Sequence, residues 1–418
     1  MNRKPLIITI SIALTIIIGA VLVWFFLFRT PTNPTLSPVP GGLPFGQGGG
    51  GDVSFGLQGT APAGTGLDEN GRPKEKLFRL VDTPVAGAVA FLKNGSTMVR
   101  YVDRATGHIY DINPITLEKT KITNNTLPKI YEAYFKNDAS SVVFRSLEDD
   151  EDTQVNTVLD LIPPVASSST STSTLSTSSG QADNLYTIRT SLLRPDISEL
   201  SVLSDNSLVY TTQSSGEVIH ANFTGGNASR LFASAFTDWR LLAPSISNIF
   251  VYTKASSGIS GYAYKIVGGS LSKILGPLDS LVLTSSPDGK HIAYSYTSSG
   301  ESKIQTTNLE TKKVYDLFPV TLAEKCVWSK LSANILYCAT PEGGVGTSEP
   351  DSWYQGSTHF SDRLWRFDTG TGLTDLLSEP KNDYNIDIDA ENLTLSPDED
   401  YLIFMNKNDL TLWALNLK

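Results

Sequence analysis

The sequence is poor in the residues that most often carry chemistry. Its 418 residues include only two cysteines and four histidines, and the histidines at positions 108, 220, 291 and 359 lack the spacing of metal ligands. No Gly-x-Ser-x-Gly elbow, His-Glu-x-x-His pair or phosphate-cradling glycine loop occurs. We therefore predict no cofactor, no metal site and no catalytic motif. A site assembled from distant segments stays open as an alternative.

Positive charge is scarce as well. The chain has 33 Lys and Arg against 43 Asp and Glu, a formal net charge of −10. No basic stripe is present that could neutralise phosphates, which argues against a nucleic-acid partner. Hydrophobic residues make up 40% of the chain and charged residues 18%, so the composition is that of a globular protein.

One long run without charge lies near the N-terminus, at residues 5–28. A helix of about 20 apolar residues crosses a membrane, so we predict that residues 1–29 form a cytoplasmic tip and a transmembrane helix. Arg3 and Lys4 keep the N-terminus cytoplasmic, and Trp24 lies where an interfacial aromatic belt is expected. The alternative is a cleaved signal peptide, but the run is long for one and no small-residue cleavage site follows it directly.

Residues 30–75 differ sharply in composition, being rich in proline and glycine. Such a stretch cannot bury enough apolar surface to offset the entropy lost on ordering. We therefore predict a disordered linker, with everything after Arg29 on the extracytoplasmic side of the cell membrane.

From residue 76 on, a turn recurs at nearly regular spacing. Its clearest copy is Ser286-Pro287-Asp288-Gly289, in which Pro287 presets φ and Gly289 takes positive φ. Residues 291–296 then alternate as a half-buried strand does. Corresponding turns centre on positions 94, 137, 205, 246, 288, 331 and 398, at intervals of 43, 68, 41, 42, 43 and 67 residues. Four-stranded propeller blades repeat about every 40–45 residues.

Each of the two long intervals contains an insertion. Residues 163–181 are Ser/Thr-rich and of low complexity, and residues 341–360 form a loop with two large aromatic residues. The final unit has only three strands, whereas an isolated strand at residues 76–81 precedes the first unit. Together they predict an all-β, seven-bladed propeller of four-stranded blades at residues 76–418, closed by the N-terminal strand.

The turn and the strand after it also carry a family resemblance. Residues 286–294, Ser-Pro-Asp-Gly-Lys-His-Ile-Ala-Tyr, resemble the repeat of the WD40-like, TolB-type bacterial β-propellers, and residues 396–404 match it more loosely. The Gly-His and Trp-Asp signature of true WD40 repeats is missing. The resemblance implies the propeller fold and partner binding through a face of the ring. It implies no catalytic residue.

The two cysteines flank one of the predicted turns. A hairpin centred near residue 332 places Cys326 opposite Cys338, close enough for a disulfide. An oxidising compartment outside the membrane would allow that bond. Two buried free thiols are the alternative.

Two further stretches are candidate sites. Trp353 and Tyr354 lie in the second insertion, where exposed aromatic side chains would anchor a partner; the alternative is that they fold back and cap the blade. Asp387, Asp389 and Glu391 alternate along an extended segment. They would form either a cation site or a polar approach to the inner strand of the ring.

These observations favour a membrane-anchored, extracytoplasmic propeller that binds or scaffolds envelope proteins. The alternative is a glycan- or peptide-active hydrolase with its site at the propeller channel, which carboxylates about 5–9 Å apart facing the channel would favour. A channel mouth lined by apolar and hydroxyl groups would favour the binding module. A purely structural envelope protein is the third possibility.

Overall fold

Short strands joined by turns make up most of the described chain, as the repeat predicts. The structure is a computed structural model that describes residues 67–69, 72–148, 153–164 and 185–418. Within these residues it has 27 strands, one 3₁₀ helix (Ala323–Lys325) and the short helices α1 (Asp351–Tyr354) and α2 (Pro380–Tyr384). The fold is therefore all-β.

Four strands in sequence order form each of the first three sheets. Strand β1 (Leu77–Val81) precedes them. The first sheet contains β2 (Val85–Lys93), β3 (Ser96–Asp103), β4 (Ile109–Ile112) and β5 (Lys119–Lys121). The second contains β6 (Ile130–Phe135), β7 (Ser141–Leu147), β8 (Gln154–Ile162) and β9 (Thr187–Leu192). The third contains β10 (Ile197–Val202), β11 (Leu208–Thr212), β12 (Glu217–Ala221) and β13 (Ser229–Ala233).

The fourth sheet has seven strands. They are β14 (Trp239–Ser245), β15 (Asn248–Thr253), β16 (Ser260–Val267), β17 (Ser270–Ser285), β18 (His291–Ser298), β19 (Glu301–Asn308) and β20 (Val314–Asp316). Strand β17 is 16 residues long. Its residues 270–279 pair with β16, and its residues 279–285 pair with β18.

The last two sheets again have four strands each. The fifth contains β21 (Cys326–Trp328), β22 (Ile335–Pro341), β23 (Asp362–Asp368) and β24 (Leu373–Ser378). The sixth contains β25 (Ala390–Leu395), β26 (Tyr401–Asn406), β27 (Thr411–Asn416) and, as its outer strand, β1. Phe78 of β1 pairs with Ala414 of β27. The prediction that residues 76–81 complete the final unit is therefore confirmed.

The predicted count of seven separate four-stranded blades is corrected by this topology. Five sheets have four strands, and the remaining seven strands form one continuous sheet. The reason lies in β17, which stays extended through Gly276 and Pro277 and bonds to neighbours on both sides. All seven predicted turns nevertheless join consecutive antiparallel strands.

The sheets surround an axis. Strands β2, β6, β10, β14, the second half of β17, β21 and β25 each contact the next in this order, and β25 contacts β2. The hydrophobic core lies between neighbouring sheets. For example, Val99 and Tyr101 of the first sheet pack with Ile403 and Leu412 of the sixth. This arrangement makes the fold a β-propeller.

The turns at one end of the strands also tie neighbouring sheets together. In the turn at residues 286–289, the Asp288 carbonyl accepts a hydrogen bond from the Asn248 side chain at 2.9 Å. At the turn after β25, Asp398 accepts a 2.6 Å hydrogen bond from Thr97 of the first sheet. The Pro-Asp chemistry that predicts these turns therefore also serves the packing between sheets.

Several predictions lie outside the described residues. Residues 5–28, the predicted transmembrane helix, are among them, as are residues 30–66 of the predicted linker and most of the insertion at residues 163–181. Within the part of the chain that the structure describes, no helix is long and apolar enough to cross a membrane. The chain divides into two units, residues 1–59 and 60–418, and every described residue belongs to the second.

Candidate functional site

A polar cavity of about 620 Å³ opens at one mouth of the ring. We call it the central cavity, because residues of the axial strands β2, β6, β14 and β25 line it. The 3₁₀ helix and α1 complete its wall. Its charged lining residues come from four of the six sheets and their connections: Arg104, Glu132, Arg240, Glu324, Glu391 and Lys407.

Glu324 brings an incompletely hydrogen-bonded carboxyl group to the cavity. It lies on the 3₁₀ helix directly before β21, and its Oε1 atom is buried without a hydrogen-bond partner. Burial raises the pKa of Glu324, although the nearby Tyr354 hydroxyl and the positive charge of Arg240 act in the opposite direction. Tyr354 itself is partly buried, and burial raises its pKa well above the usual range.

Two other charges of the cavity wall are already compensated. Arg145 donates to Glu132 at 2.7 Å, and Arg240 donates to Glu199 at 2.5 Å. The guanidinium of Arg240 also lies over the Tyr354 ring, 5.7 Å from its centroid. These ion pairs hold strands β6 and β14 in place at the cavity. Within each pair the two charges neutralise each other.

Glu391 and Lys407 line the part of the central cavity that the sixth sheet forms. Burial raises the pKa of Glu391, and the positive charge of Lys407 partly offsets this. The Nζ atom of Lys407 lies 4.4 Å from the centroid of the Trp353 ring. Among the described residues, neither side chain makes an ion pair within 4 Å. Of the alternating carboxylates Asp387, Asp389 and Glu391, Glu391 lines the central cavity, whereas Asp389 pairs with Lys325 and Asp387 with Lys381.

The second insertion is fixed by a group that we call the lysine cluster: Lys325, Asp362, Asp389, Trp353 and Phe360. The Lys325 ammonium group lies 2.9 Å from Asp362 and 2.6 Å from Asp389, and all three side chains are buried. Its Nζ atom is 4.8 Å from the centroid of the Trp353 ring. A buried lysine is thus paired with two carboxylates and packed against aromatic rings.

Trp353 is buried, with 4% of its surface exposed. Its Nε1 donates to both carboxylate oxygens of Asp389 at 3.0 Å. The prediction that Trp353 is an exposed partner anchor is therefore corrected to the alternative, a residue that caps the blade. Its neighbour Tyr354 is partly exposed toward the central cavity, so it does not form an exposed aromatic pair with Trp353.

The insertion also reaches the fourth sheet. The Asp351 carboxylate accepts hydrogen bonds from the Ser256 hydroxyl at 2.8 Å and from the Ser257 backbone at 2.9 Å. Together with the contact between Trp353 and Asp389, this ties the insertion to two sheets other than its own. The loop therefore forms part of the rigid wall of the central cavity.

The cysteines are joined. Cys326 lies directly opposite Cys338 in the β21–β22 register, and their sulfur atoms are 2.10 Å apart. Both residues are buried in the core between the fourth and fifth sheets. The hairpin spacing therefore predicts the pairing that the structure has.

The other mouth of the ring differs in chemistry. A cavity of about 580 Å³ there is lined largely by apolar and hydroxyl-bearing side chains, including Leu241, Leu242, Ser204 and Thr284. One mouth therefore carries carboxylates, as expected for the hydrolase alternative, and the other carries the surface expected for a binding module. Among the described residues, no three His, Cys, Asp or Glu side chains are placed to hold a metal ion.

A third depression, of about 830 Å³, lies where the fourth and fifth sheets meet. We call it the intersheet groove. Its apolar lining includes Phe318, Pro319, Val320, Pro341 and Trp365. Phe318 is 78% exposed, and the Trp365 indole nitrogen is buried without a partner. The sequence analysis missed this groove because its residues come from separate strands and none carries a motif.

Comparison with known proteins identifies the fold. No protein-family model and no curated protein matches the chain. Among solved structures, it is similar to an oligogalacturonate lyase in complex with manganese, with 10% identity over 82% of this chain and 93% of that chain and a TM-score of 0.53. The β-propeller domain of the Trilobed protease from Pyrococcus furiosus has 11% identity over 80% of this chain and 96% of that chain, with a TM-score of 0.50.

TolB from Acinetobacter baumannii is also among the matches, with 15% identity over 70% of this chain and 64% of that chain and a TM-score of 0.41. The chain therefore shares the β-propeller fold with the oligogalacturonate lyase and the Trilobed protease domain. Identities this low show a shared fold alone.

Proposed function

We propose that the protein is a membrane-anchored, extracytoplasmic propeller that binds a protein partner of the cell envelope through the intersheet groove. The observation that carries this proposal is the 78% exposure of Phe318 in a groove of apolar residues. Large apolar patches on soluble domains commonly mark interaction sites. The ring around the groove is a rigid support for such a surface.

The occupant that fits best is an extended segment with apolar side chains. The cation that lines the groove, Arg363, pairs with Glu342 at 2.5 Å and with Glu379 at 2.8 Å. An acidic segment would therefore find no free cation at the groove, since the other charged lining residues, Glu301 and Glu342, are carboxylates.

A photo-crosslinking residue in place of Phe318 tests this proposal in native membranes. A matched control places the same residue at Leu192, which is 70% exposed on β9. We expect one envelope protein to be crosslinked from position 318 and not from position 192, and Phe318→Ser to lower its co-purification. The same products from both positions, or none from position 318, would contradict the proposal.

The membrane anchor is part of the same proposal. It is supported by the uncharged run at residues 5–28 and, for the extracytoplasmic side, by the disulfide between Cys326 and Cys338. The full chain is expected to stay with membranes on alkaline extraction, and a chain lacking residues 1–29 to be released. N-terminal sequencing of the mature protein separates an anchor from a cleaved signal peptide.

We also infer that the fourth sheet serves as two blades, which would make the ring seven-bladed. Strand β17 would then be the outer strand of one blade and the inner strand of the next. A separate hydrophobic cluster supports this count, because Phe250 of the first half packs with Leu283 and Tyr294 of the second.

A glycan- or peptide-active hydrolase remains the second candidate function. It is favoured by Glu324 and Glu391, two carboxyl groups in one cavity whose pKa values burial raises. A carboxyl group with a raised pKa is suited to act as a general acid. Hydrolysis of a glycan or peptide by the full chain that is lost in Glu324→Gln and Glu391→Gln would support this candidate; no turnover of either class would exclude it.

A further inference from the structure

The charges of the central cavity do not all find partners within the chain. Arg145 satisfies Glu132, and Glu199 satisfies Arg240. Four charged side chains remain, the carboxylates of Glu324 and Glu391 and the cationic groups of Arg104 and Lys407. Among the described residues, none of these four makes an ion pair within 4 Å.

Partly buried charges without ion-pair partners are costly, so a built cavity that keeps four of them points to a ligand. A ligand of a single charge sign would pair with the two side chains of opposite charge and would be repelled by the other two. A ligand with one positive and one negative group would satisfy both sets. The unpartnered Oε1 of Glu324 marks the position for a hydrogen-bond donor.

We propose that the central cavity binds a small zwitterionic amino compound, either an α-amino acid or a short peptide. Glu324 and Glu391 hold its ammonium group, and Arg104 and Lys407 hold its carboxylate. The cavity volume of about 620 Å³ is suited to a ligand of this size. This site is independent of the intersheet groove, and it requires binding but no turnover.

The wall of the cavity favours binding without rearrangement. Arg240 is held by Glu199, and Trp353 beside Lys407 is held by Asp389. The wall beside the binding groups is therefore in place before the ligand arrives, which reduces the entropy lost on binding. The Tyr354 ring adds a polarisable surface next to Glu324.

The test is a thermal-shift screen of the purified full-length chain in detergent against the common L-amino acids and simple dipeptides. The best ligand is then titrated by calorimetry beside two analogues, the amine without its carboxylate and the acid without its amino group. Comparing the free amino acids with the dipeptides shows whether the zwitterionic ligand is an amino acid or a short peptide. We expect both single-charge analogues to bind about 10- to 100-fold more weakly than the zwitterion.

Two cavity variants and one control test whether the ligand binds in the central cavity. Glu324→Gln and Lys407→Met are each expected to weaken binding by about 10- to 100-fold. Glu310→Gln makes the same change as Glu324→Gln on a side chain that is 63% exposed and should bind as the parent does. Arg104→Gln, a third change in the cavity lining, serves if one of these variants fails to fold.

Three results would overturn the proposal. The first is the absence of binding by every member of the panel at millimolar concentration. The second is equal binding of the zwitterion and of one single-charge analogue. The third is binding that none of the folded cavity variants changes.

Discussion

The Nζ atom of Lys325 lies 2.6 Å from Oδ1 of Asp389, and neither side chain has any exposed surface. The same carboxylate accepts hydrogen bonds from the Trp353 indole and, at 3.1 Å, from the Phe360 backbone. Asp389 therefore joins a buried cation, an aromatic side chain of the insertion and the backbone of the insertion. Together with the contact of Asp351 with Ser256, this carboxylate fixes the loop at residues 341–360.

We predict that Asp389→Asn is far more damaging than Asp362→Asn. Removal of one partner from a buried ion pair typically costs about 3–5 kcal/mol, and the new amide hydrogens would face the Trp353 and Phe360 donors. Asp362→Asn still leaves Lys325 paired with the Asp389 carboxylate. The asparagine oxygen can also accept the hydrogen bond that the Ala390 backbone N–H donates to Asp362 at 2.7 Å.

Denaturant unfolding and limited proteolysis measure this difference. Asp389→Asn should lower the unfolding midpoint and open the insertion to protease, whereas Asp362→Asn at neutral pH should do neither to a comparable degree. Similar losses from both variants would show that Asp389 has no special role.

The lysine cluster also predicts a pH dependence. Burial raises the pKa of Asp362 from 3.8 to about 6; Lys325 partly offsets this effect, and Asp389 adds to it. The folded state then binds more protons than the unfolded state between about pH 4 and pH 6, so this group's contribution to stability is largest below pH 4 and is lost as the pH rises through 6. The full change is on the order of 3 kcal/mol.

A comparison of the parent with Asp362→Asn isolates that contribution, since the variant lacks the titrating group. The parent's free energy of unfolding minus that of the variant should fall between about pH 4 and pH 7 and then stay level. A difference that is constant across this range would mean that Asp362 has no raised pKa in the folded state.

The disulfide should stabilise the fifth sheet measurably. Cys326 and Cys338 are 12 positions apart, and a crosslink closing a short loop of this kind contributes about 3 kcal/mol in the loop-entropy model. We expect the Cys326→Ala/Cys338→Ala double variant to lose about this much in denaturant unfolding. Reductant should destabilise the parent and leave the double variant unchanged; an equal response of both would contradict this prediction.

Local chemistry made much of the fold predictable. Pro287, Asp288 and Gly289 specify a turn without help from distant residues, and the spacing of such turns gives the repeat. Strand register then places Cys326 opposite Cys338, and counting strands assigns β1 to the last sheet. Each of these inferences needs only short stretches of sequence or a simple count.

The site was harder to predict because its parts are distant in sequence. Trp353 is buried by its contacts with Asp389 and Lys325, and neither is its neighbour in the chain. The central cavity is lined by residues from positions 86 to 407, none of them in a motif. Gly276-Pro277 looks like a break between units, but β17 continues through it. Tertiary packing decided each of these features.

The close approach of neighbouring turns gives the last prediction. Gly289 has φ +67°, and a Cβ added there would lie 2.4 Å from the Asn248 side chain. Gly95, in the corresponding turn of the first sheet, has φ +79° with no atom within 4 Å of such a Cβ. Both substitutions to alanine force an L-residue into the left-handed region, at about 1–2 kcal/mol.

Only Gly289→Ala must also displace the Asn248 side chain, which donates the hydrogen bond to Asp288 from the neighbouring turn. We therefore expect it to lose about 1–3 kcal/mol more than Gly95→Ala in denaturant unfolding. Asn248→Ala combined with Gly289→Ala should recover the part of the loss that comes from the clash. Equal losses from the two glycine variants would mean that the turn is specified by its backbone alone and not by contact between turns.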